Sequence, residues 1–352
     1  MNKYSLLLFI SILTLFACEK DEPQPIPPVN DGPISYVSNE GAFGFGNGSV
    51  SIYYAKGGMQ NDAFKSANGR RPGDVLQSIA RVNGKVYMMV NASNKIEIAK
   101  EKTLEEVGVI QSVSMPRYME VTSNSRAYIS TWGNNGQIMV LDLLKDEITD
   151  SIAVGNGPEK MLASGGKLYV CNSGGFTNDS VLSVIDQTSN QVISSLVVGD
   201  NPTDIVEGQA GTLWVLCKGK VLYDANWQII GHTPSYLVQT NMAAQTILKK
   251  VKIADDKHPS HLEISPDGKY LYYGAGFGFS GIYRYDITNN NLETTPLISR
   301  DFYGFNIVPY SNYIFAFEAT SFTVSGKMLI YSLDGTLNTE FTVGVGPNGI
   351  CF

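Results

Sequence analysis

A short aromatic-centred strand recurs seven times along this chain, and no other feature limits the fold as sharply. Lys85-Val86-Tyr87-Met88, Arg126-Ala127-Tyr128-Ile129, Lys167-Leu168-Tyr169-Val170 and Thr212-Leu213-Trp214-Val215 align without gaps. Tyr270-Leu271-Tyr272-Tyr273 and Tyr313-Ile314-Phe315-Ala316 continue the series, and Ile34-Ser35-Tyr36-Val37 begins it. The rings, Tyr36, Tyr87, Tyr128, Tyr169, Trp214, Tyr272 and Phe315, stand about 41 to 58 residues apart, the length of a four-stranded propeller blade. A residue returning at one position of every repeat is expected to pack between blades and not to carry function.

Four strands are legible within a repeat. The third unit starts at Pro116, crosses Tyr118 to Val121, turns at Asn124 and returns through Ala127 to Thr131. It turns again at Gly133-Asn134-Asn135-Gly136, crosses Gln137 to Asp142, turns at Lys145-Asp146 and ends with Ile148 to Val154. The fourth repeats this as Pro158, Lys167 to Cys171, Ser180 to Asp186 and Gln191 to Val198. Short β-rich runs between Gly and Asn turns favour antiparallel strands; only Met242 to Lys250 reads as a helix. Gly and Pro mark the blade starts, as in Val154-Gly155-Asn156-Gly157-Pro158, Val198-Gly199-Asp200-Asn201-Pro202 and His258-Pro259. The last such mark, Val343-Gly344-Val345-Gly346-Pro347, is followed only by Asn348 to Phe352, an innermost strand without its blade. The first unit, at Ile34, lacks an innermost strand. These complementary defects predict an all-β, seven-bladed β-propeller over residues 34–352, closed by pairing of the C-terminal strand with the first blade. An open array or a sandwich leaves both defects unexplained.

The 35 Gly and 15 Pro suit many short strands with turns between them. A net charge of -7 with only 17% charged residues excludes a nucleic-acid partner, which needs concentrated Lys and Arg. Four Cys do not make a disulfide scaffold, and Cys171, Cys217 and Cys351 are expected as buried thiols. Residues 1–17 read as a signal peptide, with Lys3 followed by an uncharged apolar run from Ser5 to Ala17, shorter than the roughly 20 residues a bilayer span needs. Leu15-Phe16-Ala17-Cys18 resembles the lipobox of bacterial lipoproteins, which implies lipidation of Cys18. Residues 18–33 form the lipidated Cys and a tether stiffened by Pro23, Pro25, Pro27 and Pro28. Lys20-Asp21-Glu22 resembles the export signal of Bacteroidetes lipoproteins, which implies an outer-membrane location facing the cell exterior.

The Val-Gly-x-x-Pro blade start, Lys167 to Asn172, Val184-Ile185-Asp186 and Ser265-Pro266-Asp267-Gly268 resemble the repeats of YVTN (YncE-like) propellers. Val37 to Gly41 with Phe43 and the Gly46-Asn47-Gly48-Ser49 turn looks more narrowly like the DUF5074 lipoprotein propellers of Bacteroidetes. Arg70 to Ser78, Pro116-Arg117-Tyr118, Asp301 to Phe305 and Val343 to Phe352 add to that likeness, which spans the chain after the tether. The resemblance implies a non-catalytic surface lipoprotein that binds a medium-sized ligand, a corrinoid such as cobalamin, and passes it to a TonB-dependent transporter. The alternative is a structural or protein-binding envelope propeller, an adhesin or accessory subunit.

In a propeller the second-to-third strand loops and the blade-to-blade connections share one face. Here those loops hold unusual residues: Asn39 to Asn47, Trp132 to Asn135, Asn172 to Phe176, Gly274 to Phe279 and Glu318 to Ser325. Glycine permits tight turns, and aromatic faces with Asn donors suit a large amphipathic ligand. The expected ligand-binding residues are Asn39, Phe43, Arg117, Tyr118, Trp132, Asn172, Phe176, His258, Phe277, Tyr303 and Phe305. Blade five carries a long insertion, Lys218 to Asp256, with Trp227, His232 and Tyr236, which is expected to reach over the mouth or touch a partner.

Catalytic chemistry is undersupplied. Only His232, His258 and His261 occur, and His258-Pro259-Ser260-His261 has no adjacent Cys or acidic cluster, so neither a metal nor a cofactor is expected. The chain holds no phosphate-binding loop with its Lys and no nucleophile-elbow pentapeptide. A glycan-active or quinoprotein-like enzyme with dispersed residues is the weakest of the alternatives.

Overall fold

Alternation of apolar and polar residues, broken by Gly and Asn turns, gives every unit the same antiparallel meander. The computed structural model describes residues 34–56, 58–276, 278–308 and 311–352; the leader, Cys18, the tether and Phe277 lie outside the described residues. Blade three is typical, with Pro116–Ser123, Arg126–Thr131, Gln137–Asp142 and Glu147–Ala153 paired in order from the ring axis outward. Among the described residues seven such four-stranded sheets form, together with one two-stranded hairpin. The innermost strands are Leu76–Val82, Pro116–Ser123, Pro158–Ser164, Pro202–Glu207, His261–Ile264, Gly304–Ile307 and Pro347–Cys351. Each packs beside the next, and Pro347–Cys351 packs beside Leu76–Val82, so the ring is shut.

Closure takes the form read from the termini. Tyr36 pairs with Cys351, Val37 with Ile350 and Ser38 with Gly349, which makes the C-terminal strand the innermost of blade one. Seven apolar clusters then fill the seven gaps between blades; Tyr128, Ile138 and Val140 of blade three meet Leu168, Val170 and Ile185 of blade four, for example. The recurring rings sit in these gaps and are buried. Several carry a second bond. The Tyr87 hydroxyl donates to Asp146 Oδ1 at 2.6 Å, Tyr128 to Asn190 Oδ1 at 3.1 Å, Tyr169 to the Met242 carbonyl at 3.3 Å and Tyr272 to the Leu333 carbonyl at 3.1 Å. Tyr36 donates likewise to the Glu101 carbonyl. Each hydroxyl thus pins the turn before the next blade's outer strand, which explains why tyrosine occupies most positions where phenylalanine would fill the same space.

Two sequence expectations need correction. The blade-five insertion is shorter than Lys218 to Asp256, because Ser235–Asn241 and Thr246–Ala254 are that blade's own third and outer strands. The extra segment is a hairpin of Val221–Tyr223 and Ile229–His232. The helix read at Met242 to Lys250 does not form, since Ile247, Lys249, Val251 and Ile253 turn inward at alternate positions of an outer strand. A helix does form at Ala63–Asn68, where buried Phe64 plugs the gap between blades one and two. Cys171 and Cys217 are buried free thiols, while Cys351 is only partly buried.

Candidate functional site

A bulge sets the site. In five blades the innermost strand gains one residue on its partner just below its start, between Leu76 and Ser78, Pro116 and Met119, Pro158 and Met161, Pro202 and Asp204, and opposite Ser38 and Asn39. A bulge re-aims the extra side chain. Gln77, Arg117, Glu159, Thr203 and Asn348 stand at that level, and all five line a central cavity of about 1040 Å³. The next level down carries Ser78, Tyr118, Lys160, Asp204 and His261, and the level paired with the ladder rings carries Glu120, Leu162, Val206, Glu263 and Asn306.

The upper wall is a continuous hydrogen-bonded belt. The Tyr303 hydroxyl donates to Glu40 Oε2 and Asn348 Nδ2 to Glu40 Oε1, both at 2.8 Å. Asn348 Nδ2 also reaches the Gln77 carbonyl at 2.7 Å, and Arg117 donates to the Gln77 side-chain oxygen. Arg117 then forks onto Glu159, with Nη2 to Oε1 at 2.9 Å and Nε to Oε2 at 3.2 Å, a bidentate pair that fixes the guanidinium plane. Rings and cations alternate from the rim inward on the same side. Phe176 meets Trp132 edge-on at 5.3 Å, Arg117 lies 4.1 Å over the Trp132 ring, and Lys160 lies 4.8 Å over Tyr118. Across the mouth, Tyr303 packs edge-on with Phe322 at 5.3 Å.

Burial in the narrow channel tunes its charges. It raises the carboxyls of Glu40, Asp204 and Glu120 above the usual range and pushes Glu263 up to about 7. It pushes His261 down to about 3, with help from Lys160. Burial lowers Lys218 as well. At Lys160 it works the same way, but Asp204, Tyr118, Glu263 and Glu159 outweigh it and hold the ammonium above its ordinary value.

The expected residues divide. Arg117, Tyr118, Trp132 and Tyr303 line the cavity, and Phe176 supports Trp132 from the rim while 82% exposed. Phe43 is exposed on its loop and outside the cavity lining. Asn39 and Asn172 do not reach the channel. Both are fully buried, and each folds its amide back onto the third strand, Asn39 to the Ser49 carbonyl and Ser51 Oγ, Asn172 to the Val181 carbonyl and Ser183 Oγ. Phe305 is buried in the gap between blades six and seven. His258 is also buried, donating from Nδ1 to the Lys218 carbonyl at 2.6 Å and facing His232 Nδ1 through Nε2 at 2.9 Å. Phe277 falls outside the described residues.

Glu40, Gln77, Glu159, Lys160, Asp204, Asn348 and Lys218 join the site without having been singled out. The signal for several of them was in the sequence: Arg117-Tyr118 follows a blade-opening Pro, and Glu159-Lys160, Thr203-Asp204 and Asn348 follow Pro158, Pro202 and Pro347 in the same way. Gly157 shapes the adjoining loop. Its φ is +57°, and a Cβ there would stand 1.9 Å from the Gly175 nitrogen, so only glycine lets the Phe176 loop lie against the blade start. Among the described residues no cluster of three or more His, Cys, Asp or Glu is placed to hold a metal, and no helix is long and apolar enough to cross a membrane.

Fold and cavity together define a seven-bladed β-propeller whose core is a polar, aromatic-rimmed channel, a scaffold suited to holding a ligand or a protein partner. Residues 34–335 match the family described as Domain of unknown function (DUF5074), and the chain belongs to that family. No functionally curated protein matches the sequence. Hydrazine synthase of Kuenenia stuttgartiensis is similar in structure, with a TM-score of 0.64 at 15% identity over 85% of this chain and 93% of that one. A quinonprotein alcohol dehydrogenase-like protein of Bacteroides thetaiotaomicron gives a TM-score of 0.63 at 16% identity over 91% of this chain and 77% of its own. At such identities the likeness is one of fold.

Proposed function

We propose that this protein is a non-catalytic lipoprotein of the outer membrane that captures a medium-sized ligand, a corrinoid such as cobalamin, in the propeller channel for delivery to a TonB-dependent transporter. The observation that carries the reading is the channel itself. Its volume of about 1040 Å³ stands at the top of the range for small-molecule sites, which favours a ligand larger than a common metabolite. Trp132, Tyr118 and Tyr303 put aromatic rings into the lining, and the hydrogen-bonded amides of Gln77, Asn306 and Asn348 keep it polar, a mixture suited to a large amphipathic ligand. The apolar leader, the Leu15-to-Cys18 motif and the Lys20-Asp21-Glu22 triplet support lipid anchoring at Cys18 and an outward-facing location.

A protein partner is the second reading, favoured by apolar side chains on the channel-mouth face. Phe43, Phe45 and Trp227 are each about 80% exposed on loops of that face. Titration of the purified protein with cyanocobalamin, followed by calorimetry and by the ligand's own absorbance, separates the readings. Saturable heat with a spectral shift is expected, and Trp132→Ala or Tyr303→Ala should weaken capture about tenfold while the ring still melts cooperatively. Absence of both heat and spectral change would remove the corrinoid, and unchanged affinity in both variants would move the binding site elsewhere.

A further inference from the structure

The channel's hydrogen-bond capacity is unevenly spent. Its carboxylates are engaged: Glu40 by Tyr303 and Asn348, Glu159 by Arg117, Asp204 by the Ile205 and Leu262 N–H groups, Glu263 by Asn306 and Glu120 by the Ala163 N–H. Three donors beside them are not. Among the described residues the Lys160 ammonium makes no hydrogen bond or ion pair and rests over the Tyr118 ring, with Asp204, Glu263 and Glu159 near enough to act through space. The Lys218 ammonium is likewise without a partner among the described residues; only its backbone is bonded, the carbonyl by His258 and the N–H to the Asn201 carbonyl. The buried indole N–H of Trp132 has no acceptor either. All three side chains line one cavity, from blades three, four and five.

Buried polar groups in a settled protein are paired, and a donor without an acceptor marks where a partner belongs. The Lys160 and Lys218 ammonium groups, half-buried in the cavity lining without a protein partner, are the donors open to a ligand, and two cations make an anion the best match. We propose that Lys160 and Lys218 receive an anionic oxygen group of the ligand, a phosphate or a carboxylate, while the rings of Trp132 and Tyr118 hold the apolar part beside it. This deepens the capture reading and rests on it only in requiring that the channel hold a ligand. The carboxylates near Lys160 act on it through space, and none of them makes a hydrogen bond or ion pair with its ammonium among the described residues, which leaves its N–H donors open to a ligand. Their effect is to keep the ammonium charged and in place.

The test uses one ring in three forms, 1-naphthyl phosphate, 1-naphthoate and the uncharged 1-naphthamide, titrated into the purified full chain with tryptophan fluorescence and calorimetry as readouts. At least one anion should bind about tenfold more tightly than the amide, the equivalent of one charge-assisted contact, and which anion wins identifies the group. Lys160→Gln should abolish that preference, so that the anions bind no more tightly than the amide, Lys160→Arg should retain it, and Lys218→Gln should reduce it. An amide that binds as tightly as both anions overturns the proposal, as does a preference that survives in Lys160→Gln. Parallel titrations with cyanocobalamin, which carries a phosphodiester, and cobinamide, which lacks one, keep the two readings apart. Anion preference without corrinoid binding would sink the corrinoid alone; equal corrinoid binding together with no anion preference would sink the anion wall alone.

Discussion

Tyr87 serves two neighbours at once. Its ring is buried between blades two and three, and its hydroxyl reaches Asp146, which Lys85 also pairs at 2.5 Å. Tyr87→Phe keeps the packing and deletes a bond to a carboxylate, so a loss of about 1.5–3 kcal/mol in urea unfolding is expected; no measurable loss would mean that the hydroxyl is idle. Glu263 gives a sharper test because its sign is fixed. Burial raises it to about 7, so the folded chain holds its proton more tightly than the unfolded chain, and its stabilising contribution is full below about 4.5 and lost as pH rises through about 7. His261, pushed down to about 3, acts oppositely, its contribution present above 6.5 and lost as pH falls. Comparing wild type with Glu263→Gln isolates the first effect. Between about pH 5 and pH 8 the wild type should lose on the order of 2 kcal/mol relative to the variant, and parallel stability curves would refute the buried-acid picture. At this scale the sequence was half legible. Arg117 and Tyr118 were readable from the proline before them, whereas Asn39 and Asn172 looked like mouth residues because their strand ends there, and only the register with Ser51 and Ser183 shows them turned into the sheet.

The hairpin at Val221–His232 is an element that the repeat does not require. It stands on the channel-mouth face, and its base is held by histidines. The Lys218 carbonyl can only accept, so the His258 Nδ1 carries the proton there, and neutral His258 offers Nε2 to the His232 N–H. Burial lowers the His258 pKa, which preserves that neutral acceptor. His232→Ala should therefore loosen the hairpin and leave the ring intact. Chymotrypsin is expected to cut at exposed Tyr223 and Trp227 several-fold faster in the variant, with global stability changed by less than about 1 kcal/mol. Equal cutting rates would show that the histidine contact does not hold the hairpin. Its extent was misread from sequence because Ser235 to Ala254 follows an irregular segment and its outer strand carries Lys249, Lys250 and Lys252 among the apolar residues, which blurs the alternation. The helix at Ala63–Asn68 was missed for a related reason, since six residues are too few to show helical periodicity.

Over the whole molecule the fold was more legible than the site, because a ring imposes its constraint seven times while the channel depends on single side chains brought together from different blades. The closing strand joins the two. Pro347–Cys351 completes blade one, and its bulged residue Asn348 links Glu40 to Gln77 in the belt. Truncation after Val343 removes both functions, so the shortened protein should lose cooperative melting, and a transition at the wild-type temperature would disprove closure as the source of stability. Asn348→Ala divides the two roles. The backbone pairing of Ser38 with Gly349 and Val37 with Ile350 survives that change, so the ring should stay shut at a cost of about 1–3 kcal/mol for the unpaired Glu40 oxygen. Arg117 would then be tethered through Glu159 and Gln77 without the seam behind Gln77, and ligand capture should weaken several-fold in a protein that still melts cooperatively. If capture is unchanged, the belt is merely part of the closure, and recognition resides in the aromatic rings and lysines of the channel.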